Sequence, residues 1–372
     1  MTGSARGSTD PSRSFEPTRI AFLAISQAHQ FLHWLPAALR LSREPGVEVT
    51  VFGGSPAGLD FIRSFDPEGH LRLRQLRTLS LSPDGLFTPP QRFLTLLLNQ
   101  HIIRRYPTIV TTETTSGFLK QMPGLRSRLA LIKHGAGDRE GSYNPKHTKF
   151  DLIMVNGDKH RRELLARKLV RPDQIVVTGN AKLELARPPS PIFADRKPLA
   201  FYNPHFDPKL SSWFTHGPAI IREMERIADW NFVVAPHVKL VGGPDAYSAA
   251  PNVLIDRGSA RSIDMSYTQS AEVYIGDVSS QVYEFILRPR PCIFLNFDHR
   301  KWQGDEAYAH WRLGQVIDRV EELAPALGRA RALQPQFELA QREMVDYSID
   351  RTGEPASERQ ARAILSFARG EL

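Results

Sequence analysis

The sequence predicts an α/β protein built from two doubly wound, Rossmann-like domains facing a central cleft. Short, continuous apolar runs alternate with helical stretches along most of the chain, the pattern of parallel strands buried on both faces. The alternation breaks once, at a proline-rich stretch, and then restarts. With 372 residues, the chain is too long for one ordinary domain and comfortable for two.

Residues 1–17 are rich in Ser, Gly, Thr, Pro and Arg and predict a disordered tail. The first strand is expected over Arg19–Ile25, a helix over Gln30–Arg43, a strand over Val47–Phe52 and a helix near Leu59–Phe65. A helix over Pro90–Arg105 follows, then strands at Thr108–Thr111, Leu129–Ile132, Asp151–Val155 and Gln174–Asn180, with a charged helix over Lys159–Lys168. These elements set a first domain over 18–185 and a linker over 186–198, where Ala186–Pro198 holds four prolines. The second series has strands at Leu199–Tyr202, Asn231–Val234, Asn252–Ile255, Ala271–Ile275 and Cys292–Leu295. Its helices are expected at Pro218–Ala228 and about Ser280–Leu287, giving a second domain over 199–345. Glu321–Ala332 and Phe337–Arg369 are helical in composition, and 346–372 is set apart as a C-terminal helix.

Composition narrows the function. Hydrophobic and charged fractions of 41% and 24% are ordinary for a folded globule. No stretch approaches the roughly 20 apolar residues that span a bilayer, and no basic-then-apolar leader opens the chain, so a cytoplasmic location is expected. The single cysteine, Cys292, excludes an internal disulfide and a cysteine-rich metal site. A net charge of +8 favours anionic partners, including nucleotides, phosphopolymers and the inner membrane face, where peripheral association is an expectation. Direct nucleic-acid binding is not expected, because no arginine-rich arm, zinc-finger spacing or aromatic RNA motif occurs.

The strongest local motif is Gly276-Asp277-Val278-Ser279-Ser280-Gln281-Val282-Tyr283-Glu284, a strand end running into a helix start. Gly276 permits a tight turn, and Asp277, Ser279 or Ser280 can cap the helix. Free N–H groups, two hydroxyls and the positive helix end would cradle a phosphate, with Gln281 in that first turn. Glu284 lies one turn beyond Ser280 and can accept both hydroxyls of a ribose. The same spacing also fits a plain capped helix with a solvent-facing glutamate.

Two histidines each follow a buried strand. His134 leads into Gly135-Ala136-Gly137-Asp138-Arg139, and His237 is followed by Val238-Lys239. Strand ends of facing domains would bring both to the cleft, where a side chain titrating near neutrality can take or give a proton. Gly135 would let a substrate approach the backbone. Lys133, Arg139 and Lys239 can neutralise phosphate charge. His29 and His33 have the i, i+4 spacing of a zinc pair, but without a third ligand they read as helix packing. No metal site and no cofactor are expected. Asn203–Asp207 also follows a strand and should reach the cleft, with no role assigned.

Taken in order, these motifs resemble the CDP-glycerol glycerophosphotransferase family, which builds teichoic-acid-type polymers on a GT-B fold. The resemblance rests on His134-Gly135, the segment Asp151–Gly179, Pro236-His237, and Asp277-Val278-Ser279-Ser280 followed by Glu284 and Arg290-Pro291-Cys292-Ile293-Phe294. It spans about residues 130–296; the first 110 residues resemble the family only in general architecture. It implies that His134 is the general base on the acceptor hydroxyl and that His237 assists at the donor phosphate. It also implies that Ser279 and Ser280 bind the pyrophosphate, with Glu284 as the acidic position. Gly135, Asp138 and Arg139 would then face the acceptor, a polyol phosphate or glycan. The chain departs from the family at Ala136-Gly137-Asp138-Arg139, at Ala235 before Pro236-His237, and at Asn180-Ala181-Lys182 after Gly179. Thr178-Gly179-Asn180 is closer to the turn of the UDP-N-acetylglucosamine 2-epimerases, which share the fold. The expected function is transfer of a glycerophosphate-type group from a CDP-linked donor to a hydroxyl acceptor in cell-surface polymer synthesis. A nucleotide-sugar glycosyltransferase, an epimerase-like isomerase and an inactive nucleotide-binding protein stand as alternatives.

Overall fold

A computed structural model describes residues 16–79, 91–137, 143–186, 191–237, 239–240 and 248–372. Most of the expected tail (1–15), four linker residues (187–190) and the candidate acceptor residues Asp138 and Arg139 lie outside the described residues.

The strands are β1 (Thr18–Ala24), β2 (Val47–Gly53), β3 (Arg72–Gln75), β4 (Thr108–Thr111), β5 (Arg128–Ile132), β6 (Leu152–Val155) and β7 (Ile175–Val177), then β8 (Leu199–Asn203), β9 (Asn231–Val234), β10 (Val253–Ile255), β11 (Val273–Gly276), β12 (Cys292–Leu295) and β13 (Gln315–Ile317). The helices are α1 (Ala28–Phe31), α2 (Leu35–Leu41), α3 (Pro56–Arg63), α4 (Arg92–Ile103) and α5 (Asp158–Ala166), then α6 (Trp213–Arg226), α7 (Ser266–Ser270), α8 (Gln281–Phe285), α9 (Leu323–Ser348) and α10 (Ala356–Arg369). They form two sheets, ordered β3-β2-β1-β4-β5-β6-β7 and β10-β9-β8-β11-β12-β13. Every paired neighbour is parallel. In both sheets the order reverses beside the first strand, so a crevice opens at the carboxyl ends, β1 beside β4 and β8 beside β11.

Most of the expected apolar runs become central strands covered on both faces, while two of them, β7 and β10, lie at sheet edges and are partly exposed. β4, β6, β9 and β12 are buried at every residue. The two strands that the pattern did not mark, β3 and β13, each form one edge of their sheet. β3 reads Arg-Leu-Arg-Gln and is mostly exposed, which protects an edge from pairing but removes its apolar signature.

Helix limits shift where local chemistry intervenes. The single helix expected over Gln30–Arg43 is two, α1 and α2, with Pro36 at the first turn of α2. α9 runs through Pro335, and the break falls instead at 349–355. Gln341 fixes α9 against the second sheet by donating to the Arg290 and Leu313 carbonyls. α10 then crosses back to the first domain: Ala361, Ala363, Ile364 and Phe367 join the core built on β1, β2 and α2. Arg128 clamps the end of α10, bonding the Phe367 and Leu372 carbonyls and lying over the Phe367 ring.

Candidate functional site

The chain leaves β5 as Lys133-His134-Gly135, and Gly135 turns with φ +68°, a conformation other residues rarely adopt. Two groups from the next strand–helix unit pin this loop. Asn156 Nδ2 donates to the Gly135 carbonyl at 2.8 Å and Lys159 Nζ to the Ala136 carbonyl at 2.6 Å. His134 Nδ1 lies 2.8 Å from the Thr112 carbonyl, beyond β4. A carbonyl only accepts, so Nδ1 carries the hydrogen and Nε2 keeps a lone pair. Desolvation pushes the His134 pKa down to about 3, reinforced by the positive charge of Lys239 and opposed by the bond to Thr112. The ring is therefore neutral near pH 7, with Nε2 in base form.

His237 has the complementary arrangement. Its own N–H donates to the Pro204 carbonyl at 3.1 Å, and its ring Nδ1 accepts the Lys239 backbone N–H at 3.1 Å. An accepting Nδ1 places the hydrogen on Nε2. His205 follows the same rule, accepting the Asp207 N–H at Nδ1. Between the two strand-end histidines sits His29 of α1, its ring 6.4 Å from His134 and 5.7 Å from His237. His29 was expected to serve helix packing, but it is a cleft residue because α1 begins at the carboxyl end of β1. Burial and the neighbouring His237, His134 and lysine charges hold its pKa well below the ordinary value.

The Gly276–Glu284 stretch is more heavily engaged with protein than its sequence suggests. Gly276 admits no side chain, since a Cβ there would lie 2.6 Å from the Tyr274 hydroxyl. Asp277 is buried and ties loops together: Oδ2 accepts the His205 and Ser212 N–H groups, each at 3.0 Å, while Oδ1 has no hydrogen-bond partner. Burial raises its pKa to about 6. Ser279 Oγ donates to Asn203 Oδ1 at 2.9 Å and accepts the Gln281 N–H at 3.3 Å. Ser280 precedes α8, which spans five residues rather than the expected eight, and its side chain makes no cap bond. It faces the first domain, where a Cβ on Gly135 would meet Ser280 Oγ at 3.1 Å and one on Gly137 would meet Ser280 Cβ at 3.2 Å. Glu284 is not solvent-facing. It is 7% exposed, and both carboxylate oxygens accept from Lys182 Nζ of the first domain, at 2.7 and 2.8 Å.

Beside His134 lies a pocket of about 290 Å³, lined by Gln30, Arg92, Lys133, His147 and, from the second domain, Lys239. Glu113, the carboxylate among its described lining residues, is occupied in capping the turn that follows β4, accepting the Thr115 and Ser116 N–H groups. Arg92 is steadied by Gln27 Oε1 at 3.0 Å. Among the described residues that line it, the cations Arg92, Lys133 and Lys239 outnumber the carboxylate Glu113, a lining that favours anions. The structure thus brings together His134, Gly135, His237, Lys239 and Ser280, together with the unforeseen His29, Gln30, Arg92 and Lys182. His29 and Gln30 lie five and six residues beyond the end of β1, too far along for the strand-end pattern that marks His134. Arg92 and Lys182 lack any comparable local pattern.

No protein-family model and no curated sequence matches the chain. Solved structures do match in fold. Over 95% of this chain and 90% of the other, a variant of the wall teichoic acid polymerase TagF soaked with CDPG is 12% identical with a TM-score of 0.64. The UDP-GlcNAc 2-epimerase of Neisseria meningitidis bound to UDP-GlcNAc is 13% identical, with a TM-score of 0.64 over 94% of this chain and 99% of that one. The S. aureus MnaA–UDP structure is 12% identical, with a TM-score of 0.63 over 95% and 97%. The two facing parallel sheets, seven and six strands wide, are those of the GT-B fold.

Proposed function

We propose that this GT-B chain is an enzyme acting on a nucleotide diphosphate-linked donor, and that it passes a glycerophosphate-type group from a CDP-linked donor to a hydroxyl acceptor. The observation that carries the reading is the pair of opposed tautomers across the cleft. His134 offers a lone pair at Nε2, and His237 an N–H at the same position. One suits removal of a proton from an attacking hydroxyl; the other suits donation to a departing phosphate oxygen. As the acceptor oxygen bonds to phosphorus, its proton passes to His134 Nε2. The bond from phosphorus to the nucleotide oxygen then breaks, and charge gathers where Lys239, Lys133 and Arg92 can offset it.

In this reading Gly276, Ser279, Ser280 and Gln281 meet the pyrophosphate, while Asp277 shapes their loop from beneath. Gly135, with Asp138 and Arg139, faces the acceptor. Glu284 takes the ribose hydroxyls after exchanging its partner Lys182. Peripheral association with an anionic membrane face is supported by α4, whose outer side presents Phe93 and Leu97, 50% and 41% exposed, beside exposed Arg104 and Arg105. Among the described residues no helix is long and apolar enough to cross a membrane.

The Thr178-Gly179-Asn180 turn does not favour an epimerase, because packing accounts for it. Gly179 has φ +76° beneath the Asp350 carbonyl and Ala356, and Asn180 Oδ1 holds His33 Nδ1 at 3.0 Å. The test is turnover of CDP-glycerol and UDP-GlcNAc by the full chain and by His134→Ala. Transfer from CDP-glycerol that falls by about 10²–10⁴-fold in the variant, with nucleotide affinity kept, is the expected result. Preference for UDP-GlcNAc would replace the glycerophosphate reading, and binding without turnover of either would replace the enzyme reading.

A further inference from the structure

Gln30 is 1% exposed and directs its side-chain amide at the candidate base, with Nε2 3.1 Å from His134 Nε2. The chemistry of the neighbours fixes the direction of that bond. His134 Nδ1 must donate to the Thr112 carbonyl, and a ring kept neutral by burial has no second hydrogen. The amide N–H of Gln30 therefore donates into the Nε2 lone pair. The other end of the amide, Oε1, is buried without a hydrogen-bond partner, an unfavourable state for an acceptor. The Gln30 amide thus fills the lone pair that the proposed reaction needs, and its own oxygen stays unsatisfied.

Resting on the proposed role of His134, we propose that Gln30 is a positioning residue that caps the base until an acceptor hydroxyl displaces it, protecting the donor from water. An uncapped Nε2 would remove a proton from water as readily as from an alcohol. The water oxygen would then bond to phosphorus, the nucleotide would leave, and the group would be lost to hydrolysis. The orphaned oxygen gains a purpose in the same cycle. Once Nε2 has taken the acceptor proton it is a donor, and a half-turn of the Gln30 amide presents Oε1 to it.

The experiment uses the full chain with Gln30→Met, which removes the amide at similar length, and Gln30→Glu, which stays polar if the first variant folds poorly. Acylation of ligand-free His134 by diethyl pyrocarbonate, located by peptide mass spectrometry, reads the cap without requiring turnover. Acylation several-fold faster in Gln30→Met is expected. With CDP-glycerol, nucleotide release without acceptor should rise relative to transfer in the same variant. In Gln30→Glu the carboxylate should hold a proton on Nε2, moving the acid limb of the pH–rate profile upward, a change that a merely structural role would not produce. Unchanged acylation of His134 in both variants would overturn the cap. Wild-type protein that releases nucleotide from neither CDP-glycerol nor UDP-GlcNAc would instead overturn the enzyme reading, with the acylation result still deciding the cap.

Discussion

At the scale of single residues, the described part of the cleft holds several imidazoles kept neutral by burial and the buried Lys182–Glu284 ion pair. Burial is the largest cause of the lowered pKa of His29, His33, His134, His147 and His160. The unfolded chain takes up protons at these groups near the ordinary value of 6.5, whereas the folded chain resists until far lower, about 3 for His134 and about 4 for His147. Their contribution to stability is complete above 6.5 and is lost as pH falls toward those values. Asp277 acts oppositely: its raised pKa of about 6 favours the folded state in acid, and that benefit fades as pH climbs from 3.8 through about 6. Five groups against one predict net acid destabilisation. Denaturant midpoints compared at about pH 7 and about pH 5 should fall toward acid, and a flat profile would contradict the burial of these rings.

The Lys182–Glu284 pair, with side chains 5% and 10% exposed, makes a second prediction. Lys182→Met strands a buried carboxylate and should cost about 3–5 kcal/mol by equilibrium unfolding, whereas Lys182→Met with Glu284→Leu should recover most of that loss. Equal loss in both would show that packing, and not charge, holds this contact. Sequence reasoning reached His134 and His237 because a histidine straight after an apolar run is a local pattern. It could not reach Lys182, which owes its partner to a residue 102 positions away.

At the scale of elements, the central strands were legible, as were the edges β7 and β10, but the edges β3 and β13 were not. A strand such as β4, Thr-Ile-Val-Thr, is marked by burial on both faces, whereas β3 and β13 lie at sheet edges where burial is incomplete. α8 starts one residue later and ends two residues earlier than the expected Ser280–Leu287, and nothing in that stretch forbids a longer helix. The Gly135–Gly137 loop lies against Ser280, just ahead of the first turn of α8. Gly179→Ala would force a side chain into left-handed backbone and within 2.8 Å of the Asp350 carbonyl, and should cost about 1–3 kcal/mol. Loss below the error of chemical denaturation would show that the turn can relax. The α4 face predicts that vesicles containing anionic lipid will sediment the protein and that Phe93→Ser with Leu97→Ser will reduce this binding. Equal recovery with neutral vesicles would remove the electrostatic part of that reading.

At the scale of the molecule, the sequence disclosed two strand–helix series but not that the last helix serves the first. α10 is amphipathic by itself, and no local pattern says which sheet its apolar side covers. Deleting residues 356–369 would uncover the β1–β2–α2 core, where Ile364 and Phe367 are 0% and 1% exposed. Calorimetry of the truncated chain should show loss of the first domain's transition ahead of the second's, and an unchanged profile would mean that α10 adds little to that core.

The return of α10 also has a temporal meaning. A ribosome makes the seven strands of the first sheet early, yet the residues that seal their core emerge after the whole second sheet. The first domain must therefore wait, incomplete, through the synthesis of its neighbour, and the two reach their finished form together. A chain interrupted anywhere before Ala356 would carry an exposed apolar groove on its first half, a ready target for the chaperones and proteases that patrol nascent proteins.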